Sequence, residues 1–311
     1  MPAERKPSKG IAGPDSGAAT TNDGVGRLYL VATPIGNLGD ITRRAVEILG
    51  AVDGILAEDT RHTRKLLSHL ELKVPLRAYH AHNEAKATPG TVAALVGGAQ
   101  LALVSDAGTP AVSDPGFRLV QAAIEAGIEI IPVPGPSAVL AALVASGLPT
   151  ERFTFLGYPP RKGGELARFF AEVAEGKATL ILLESPRRVA TTLRAAATTL
   201  GGARRACIAR ELTKAHEEFV RGTLEELAAA IDLPLKGEVT LVIEGSTGSD
   251  TVTLDTATLQ NRYAVLLAQG IAPKEALKSL VEVTGMRRRD IYRALHLGTD
   301  SNAPDLPGDS P

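Results

Sequence analysis

Short apolar runs and amphipathic stretches take turns over residues 27–147. The runs at 27–32, 54–57, 76–79, 100–105 and 129–133 are brief and rich in aliphatic residues, as buried strands are. Between and after them, residues 41–49, 60–70, 85–96, 115–126 and 136–146 carry apolar positions at helical spacing. Strand and helix in strict alternation predict an α/β domain built on a mostly parallel sheet. Gly147-Leu148-Pro149-Thr150 breaks the rhythm, and a second α/β domain is predicted over 148–247. Its strands fall at 153–156, 179–183, 205–209, 218–222 and 239–243, and its helices at 165–174, 188–200 and 224–231. More strands per helix predict that part of this second sheet is antiparallel. Beyond the Gly, Ser, Thr and Asp stretch at 245–251, helices at 256–269, 273–284 and 287–297, jointed at Gly270 and Gly285, predict a small helix-turn-helix-like unit over 252–298. Residues 1–26 and 299–311 lack periodicity and predict disordered tails.

Composition narrows the chemistry. The formal net charge is −1, so nothing in the bulk charge points to nucleic acid. The basic residues are clustered, however, at Arg43-Arg44, Arg61 to Lys65, Arg187-Arg188, Arg204-Arg205 and Arg287 to Arg289, and phosphate binding depends on local charge. The single cysteine, Cys207, excludes an intrachain disulfide and a multi-cysteine zinc site; its apolar neighbours mark it as a small buried hydrophobe. No apolar run reaches the ~18 residues of a membrane helix, and no signal-peptide core opens the chain, so a cytoplasmic protein is expected. There is no G-x-x-x-x-G-K-[ST] loop, no G-x-G-x-x-G after the first strand, no H-E-x-x-H and no G-x-S-x-G. With no Trp and only 4% aromatics, a base-stacking platform for single strands is poorly supported.

Glycine and proline concentrate instead where predicted strands end. The four loops are 32–40 (ATPIGNLGD), 105–116 (SDAGTPAVSDPG), 132–138 (PVPGPSA) and 184–188 (ESPRR). Glycine lets backbone approach a ligand and proline holds a loop in one shape; in open α/β sheets ligands bind at this edge. A lone loop of this kind is most often an ordinary tight turn, but three at successive strand ends of one domain point to a binding edge.

Together with AEDTRHTRKLL (57–67), YHAHNE (79–84), SGLPT (146–150), ARELTKAHEE (209–218) and GEVTLVIEG (237–245), these loops resemble the tetrapyrrole methylase superfamily and, within it, the ribosomal RNA small subunit methyltransferase I family. The resemblance runs from about residue 28 to 245. It implies two α/β domains of the class III S-adenosylmethionine methyltransferase type with a cofactor cleft between them, the small helical unit being added. It further implies 2′-O-methylation of a decoding-centre cytidine, position 1402 of 16S ribosomal RNA, with S-adenosylmethionine as cofactor and no metal. The implied partner is 16S rRNA or the 30S subunit, and superfamily members are often homodimers. By motif match Pro34, Asp106, Gly108, Thr109, Val112, Ser113, Ser137, Ala138, Leu183, Ala209, Glu238, Val239 and Thr240 would hold the cofactor.

A ribose 2′-hydroxyl is a poor nucleophile until its proton is accepted, whereas a sulfonium is a ready electrophile. Alignment can lower such a barrier by ~7–11 kcal/mol, and a placed base adds roughly 10²–10⁴. Proton-accepting candidates are Glu58, Asp59, His62, His80, His82, Glu84, Glu184 and Glu211. The groups 58–62 and 82–84, hence Glu58, Asp59, His62, His82 and Glu84, are selected as the wall facing RNA, with Asp59 equally suited to capping the following helix. Arg61, Arg187, Arg188, Arg210, Lys214, Arg287, Arg288 and Arg289 are the candidate phosphate contacts, against the alternative of a solvated charged face. Two other readings stand beside this one: a small-substrate methylase of the same superfamily, and a non-catalytic RNA-binding assembly protein.

Overall fold

The protein's computed structural model describes residues 26–231, 236–247, 256–268, 271–284 and 288–296. The expected tails, the joint after Thr247, Gly270, Gly285 and Arg287 lie outside the described residues, Gly26 excepted.

The first sheet holds β1 (Arg27–Val31), β2 (Gly54–Ala57), β3 (Leu76–Ala78), β4 (Gln100–Val104) and β5 (Glu129–Val133) in the order β3-β2-β4-β1-β5. All of its pairings are parallel, with Leu28 beside Leu101 and Leu101 beside Gly54. Alternate strand residues serve opposite faces. Tyr29, Ile55, Ala102 and Val104 pack with Ala45, Ile48 and Leu49 of α1 (Arg43–Ala51) and Leu67 of α2 (Thr60–His69). Leu28, Leu56, Leu101 and Leu103 pack with Leu95 of α3 (Glu84–Val96) and Leu119 and Ala123 of α4 (Phe117–Glu125). The sheet is thus covered on both faces, which explains its near-continuous apolar strands. The last helix of this run is α5 (Ala138–Ser146).

Three helices start two residues later than their apolar pattern predicts. Thr42 Oγ1 accepts from Ala45 N at 3.1 Å, leaving Ile41 extended ahead of α1. Gly116, at φ 139, cannot join α4. Ser137 Oγ accepts from Leu140 N at 3.4 Å ahead of α5. In each case a cap, or a residue in a non-helical conformation, overrides periodicity.

The second sheet orders β6 (Phe153–Phe155), β7 (Thr179–Glu184), β10 (Val239–Ile243), β8 (Arg205–Arg210) and β9 (Glu218–Thr223) as β6-β7-β10-β8-β9. β6 and β7 are parallel. Glu244 N donates to Arg205 O (2.9 Å) and Glu211 N to Glu238 O (3.0 Å), so β8 and β10 run antiparallel and the sheet is mixed, as its strand-rich pattern predicts. Its helices are α6 (Gly163–Ala171), α7 (Val189–Leu200) and α8 (Leu224–Ala230). Thr223 and Glu226 form a capping box at the start of α8. Near the C-terminus, α9 (Thr256–Ala268), α10 (Pro273–Thr284) and α11 (Arg288–His296) share a core of Leu259, Leu277, Leu280 and Ile291.

By contacts the chain groups into two units. One runs to Ala145 and takes in Ile208–Phe219 and Gly237–Thr240; the other comprises Ser146–Cys207, Val220–Lys236 and the chain from Leu241 onward.

Candidate cofactor site at the tips of the first sheet

The strand order decides where a site can form. From β1 the chain crosses β4 by way of α1 to reach β2; from β4 it crosses β1 by way of α4 to reach β5. Adjacent strands β1 and β4 therefore send their chains away on opposite faces. Such a switch point leaves a crevice at the carboxyl ends of the strands.

Here the crevice is closed underneath by a small backbone clamp. Thr33 N donates to Gly108 O at 2.9 Å and Gly108 N donates to Thr33 O at 3.0 Å. Thr33 Oγ1 donates to Ser105 O at 3.2 Å, and Ser105 Oγ to the Ala107 carbonyl, also at 3.2 Å. Thr33, Pro34 and Ser105 are buried, while Thr109, Val112 and Ser113 are exposed above them. Ala111 (φ 67) and Ser113 (φ 63) sit in the left-handed region beside Gly108 (φ 80). Non-glycine residues held there cost ~1–3 kcal/mol each and cluster at binding sites.

Asp106 ties this loop to the next strand end: its Oδ1 accepts from Asp59 N at 2.9 Å. Three carboxylates share the neighbourhood. Burial, then the charge of Asp106, raise the Glu58 carboxyl above its ordinary value. Asp114 is pushed up to about 6, first by burial and then by Glu58, against a hydrogen bond with Ser105 that lowers it. Like charges gathered in a half-buried place favour a cation above them. Asp114 was not among the residues selected from sequence. It sits in the quoted SDPG turn, but only the fold brings it near Glu58.

The other selected groups fall as follows. Asp59 caps α2 by accepting from Arg61 N at 2.8 Å, and its carboxylate pairs with the Arg61 guanidinium at 2.8 Å. That bonding holds the Asp59 carboxyl well below the carboxylate range. His62 is exposed on α2, and His82 is exposed in the turn after β3. The His82 ring is 6.0 Å from that of His80, whose Nδ1 is buried without a hydrogen bond. Glu84 opens α3, with Arg118 Nε 3.9 Å away. Ser137 and Ala138 stand at the start of α5.

The β1 loop is braced by residues far along the chain. Asn37 N donates to Thr213 Oγ1 at 3.0 Å. Gly36 lies so close that a Cβ there would meet Lys214 Cγ at 2.5 Å and Leu212 O at 2.9 Å. Lys214 Nζ bridges Glu211 (2.9 Å) and Glu238 (3.2 Å). Glu211 (φ 51) and Thr213 (φ 65) are both left-handed, which is unusual for a β-branched residue. Ala209 and Glu238-Val239-Thr240 belong to this same unit, and Leu183 to the other.

In the second unit Glu184 is a buried anchor. Its Oε1 accepts from Ser185 N at 2.7 Å, its Oε2 from the Thr192 hydroxyl, and Arg188 Nη1 lies 3.5 Å away. Arg188 also donates to the carbonyls of Pro159 (3.3 Å) and Pro160 (2.6 Å), whereas Arg187 is exposed. Arg210 pairs with Glu218 at 2.7 Å. Arg288 and Arg289 are exposed on α11.

A family model described as Tetrapyrrole (Corrin/Porphyrin) Methylases matches residues 27–228. A curated relative from Synechocystis sp., "Ribosomal RNA small subunit methyltransferase I", is 47% identical over 278 residues, covering 89% of this chain and 100% of its own. The chain belongs to the ribosomal RNA small subunit methyltransferase I family. A second methyltransferase I, from Halalkalibacterium halodurans, is 45% identical over 88% of this chain and 96% of its own. The crystal structure of uroporphyrin-III-C-methyltransferase from Thermus thermophilus shares the fold, with a TM-score of 0.51 and 21% identity over 70% of this chain and 94% of that one. In this member of the methyltransferase I family the tetrapyrrole methylase match ends at residue 228, so Glu238 to Thr240 and the helices α9–α11 lie beyond it.

Proposed function

We propose that the protein is an S-adenosylmethionine-dependent methyltransferase acting on the ribose 2′-oxygen of cytidine 1402 in 16S ribosomal RNA. The observation that carries the reading is the Thr33–Gly108 clamp at the sheet's switch point, roofed by exposed, left-handed backbone and flanked by Glu58, Asp106 and Asp114. These residues fit the cofactor. A sulfonium needs negative charge nearby, and a ligand without phosphates needs no helix-end cradle.

When bound, the cofactor supplies a methyl group on a positively charged sulfur, which keeps the electron pair as the methyl carbon passes to the 2′-oxygen. Gly108, Thr109, Val112 and Ser113 would present backbone and small side chains to it, with Ser137 and Ala138 at the neighbouring strand end and Ala209 and the Glu238 to Thr240 strand of the same unit as further contacts. Asp106 both orders the loop and contributes charge. Glu58, with its raised carboxyl, accepts the 2′-hydroxyl proton; a proton acceptor works best when its pKa approaches the working pH. His62, His82 and Glu84 face the RNA, Asp59 holds α2 in place, and Arg61, Arg187, Arg210 and Lys214 meet phosphates. Arg188 shapes the 184–188 loop rather than reaching outward.

The same reading makes the 30S subunit the partner, the cytoplasm the location and a homodimer the working form. Leu140 (51% exposed) and Val144 (73% exposed), one turn apart on α5, give an apolar stripe that a second copy would cover. Among the described residues no helix is long and apolar enough to cross a membrane.

The experiment is to map 2′-O-methylation along 16S rRNA from cells with and without the protein, and to add purified protein and cofactor to unmethylated 30S subunits. Loss of one ribose methyl and its restoration in vitro are expected. An unchanged map with no transfer would refute the reading.

A further inference from the structure

The three C-terminal helices carry a charge distribution that the whole-chain balance hides. They contain six Lys and Arg residues and three Asp and Glu. Leu277 and Leu280 of α10, Ile291 of α11 and Leu259 of α9 form a shared core, while Val265 and Leu267 stay exposed on α9. The charged side chains are not spread uniformly over the outward faces.

Lys274, Lys278 and Val281 stand at successive turns along one side of α10, and with Arg288 from the first turn of α11 they line a single open recess. Lys274, Lys278 and Arg288 are exposed. Three cationic side chains around one concavity make its local potential positive, which attracts an anion. One turn along α11 from Arg288, Tyr292 is 54% exposed, an aromatic beside the cations of the kind that meets a ribose or base. Among the described residues Val281 is the one apolar residue lining the recess, which is open and carries three cationic side chains, as a site for a polyanionic strand would.

We propose that the recess between α10 and α11 is an RNA phosphate-binding site, in which Lys274, Lys278 and Arg288 grip the ribosomal RNA backbone away from the methyl-transfer centre. This rests on the RNA reading above and deepens it: the cofactor loops carry the chemistry, and the helical unit adds sequence-independent affinity. Arg289 and Arg293, one turn apart on α11, extend the same basic surface.

The test uses the full chain carrying K274Q, K278Q and R288Q together, beside the charge-keeping variant K274R, K278R, R288K. The probe is a fluorescent hairpin RNA of the 16S decoding region, with affinity measured from 50 to 200 mM KCl. Each phosphate contact on duplex RNA or DNA adds about 0.9 to the log–log salt slope, so the neutral variant loses about 2.7 units of slope. Across this fourfold salt range the native protein should then weaken about 40-fold more than the neutral variant. The charge-keeping variant should retain the native slope, and calorimetric binding of S-adenosylmethionine should be equal in all three. An unchanged slope in the neutral variant, or a native protein that does not bind the hairpin, overturns the proposal. Methyl transfer by the native protein to 30S subunits, run alongside, separates the two failures. If transfer occurs and the slope does not move, only the recess is wrong; if transfer fails, the RNA reading itself falls.

Discussion

Thr33 and Gly108 exchange both of their backbone hydrogen bonds, at 2.9 and 3.0 Å, although they follow different strands. The pairing joins two loops that leave the sheet on opposite faces, and it requires Gly108 at φ 80. Replacing Gly108 by Ala places a Cβ in a conformation that costs ~1–2 kcal/mol, although the space itself is open enough, with Ile35 Cγ2 at 3.5 Å. Gly108→Ala should lower stability by about that amount and weaken cofactor binding at least as much. Calorimetry and thermal melting measure the two effects separately, and native affinity in this variant would remove the clamp from the site.

Asp106 offers a cleaner division between geometry and charge. Asp106→Asn keeps an oxygen to accept from Asp59 N, whereas Asp106→Ala removes both the acceptor and the charge. Cofactor affinity should fall in both, and further in the alanine variant. Equal, native-like affinities would show that neither the bond nor the charge matters to binding.

Asp114 makes stability depend on pH. Its carboxyl is raised from 3.8 to about 6 by folding, so the native state holds this proton more tightly than the unfolded chain does. Its contribution is favourable below about 4, declines as pH climbs to 6, and is fully lost above that. Asp114→Asn should flatten this decline and melt at a higher temperature than the native protein at pH 7.5. Melting curves between pH 4 and 8 decide it; a native-like decline in the variant would place its source elsewhere.

Glu184 and Arg187, close in sequence, should behave differently. Glu184 is buried and accepts from Ser185 N and the Thr192 hydroxyl, so Glu184→Ala should cost ~1–3 kcal/mol through the stranded donors. The folded fraction should keep its rate of transfer. Arg187→Glu should leave both stability and cofactor affinity alone and raise KM for 30S subunits. Steady-state kinetics on the folded enzyme read both outcomes, and a collapse of kcat in Glu184→Ala would reinstate that carboxylate as a proton acceptor.

The elements themselves were legible from periodicity, because the inner strands β1, β2 and β4 are buried almost throughout and α1, α2 and α4 each present an apolar stripe. Asp59 as a cap followed from its place before Thr60. Strand order was not legible, and with it the reason that the β1 and β4 loops meet, since pairing partners are chosen by contacts distant in sequence. For the same reason the closeness of Asp114 to Glu58 lay hidden between positions 56 residues apart. Nor could spacing reveal that Arg188 is spent on the carbonyls of Pro159 and Pro160 while Arg187 is not.

The brace between Asn37 and Thr213 spans 176 residues of chain. At ~5–20 residues per second of synthesis, the loop after the first strand waits roughly 9–35 s on the ribosome before its partner has been made. The earliest-made unit of this protein is thus unable to complete itself early: its crevice stays unbraced through most of translation, and a nascent chain halted before residue 213 should capture no methyl donor.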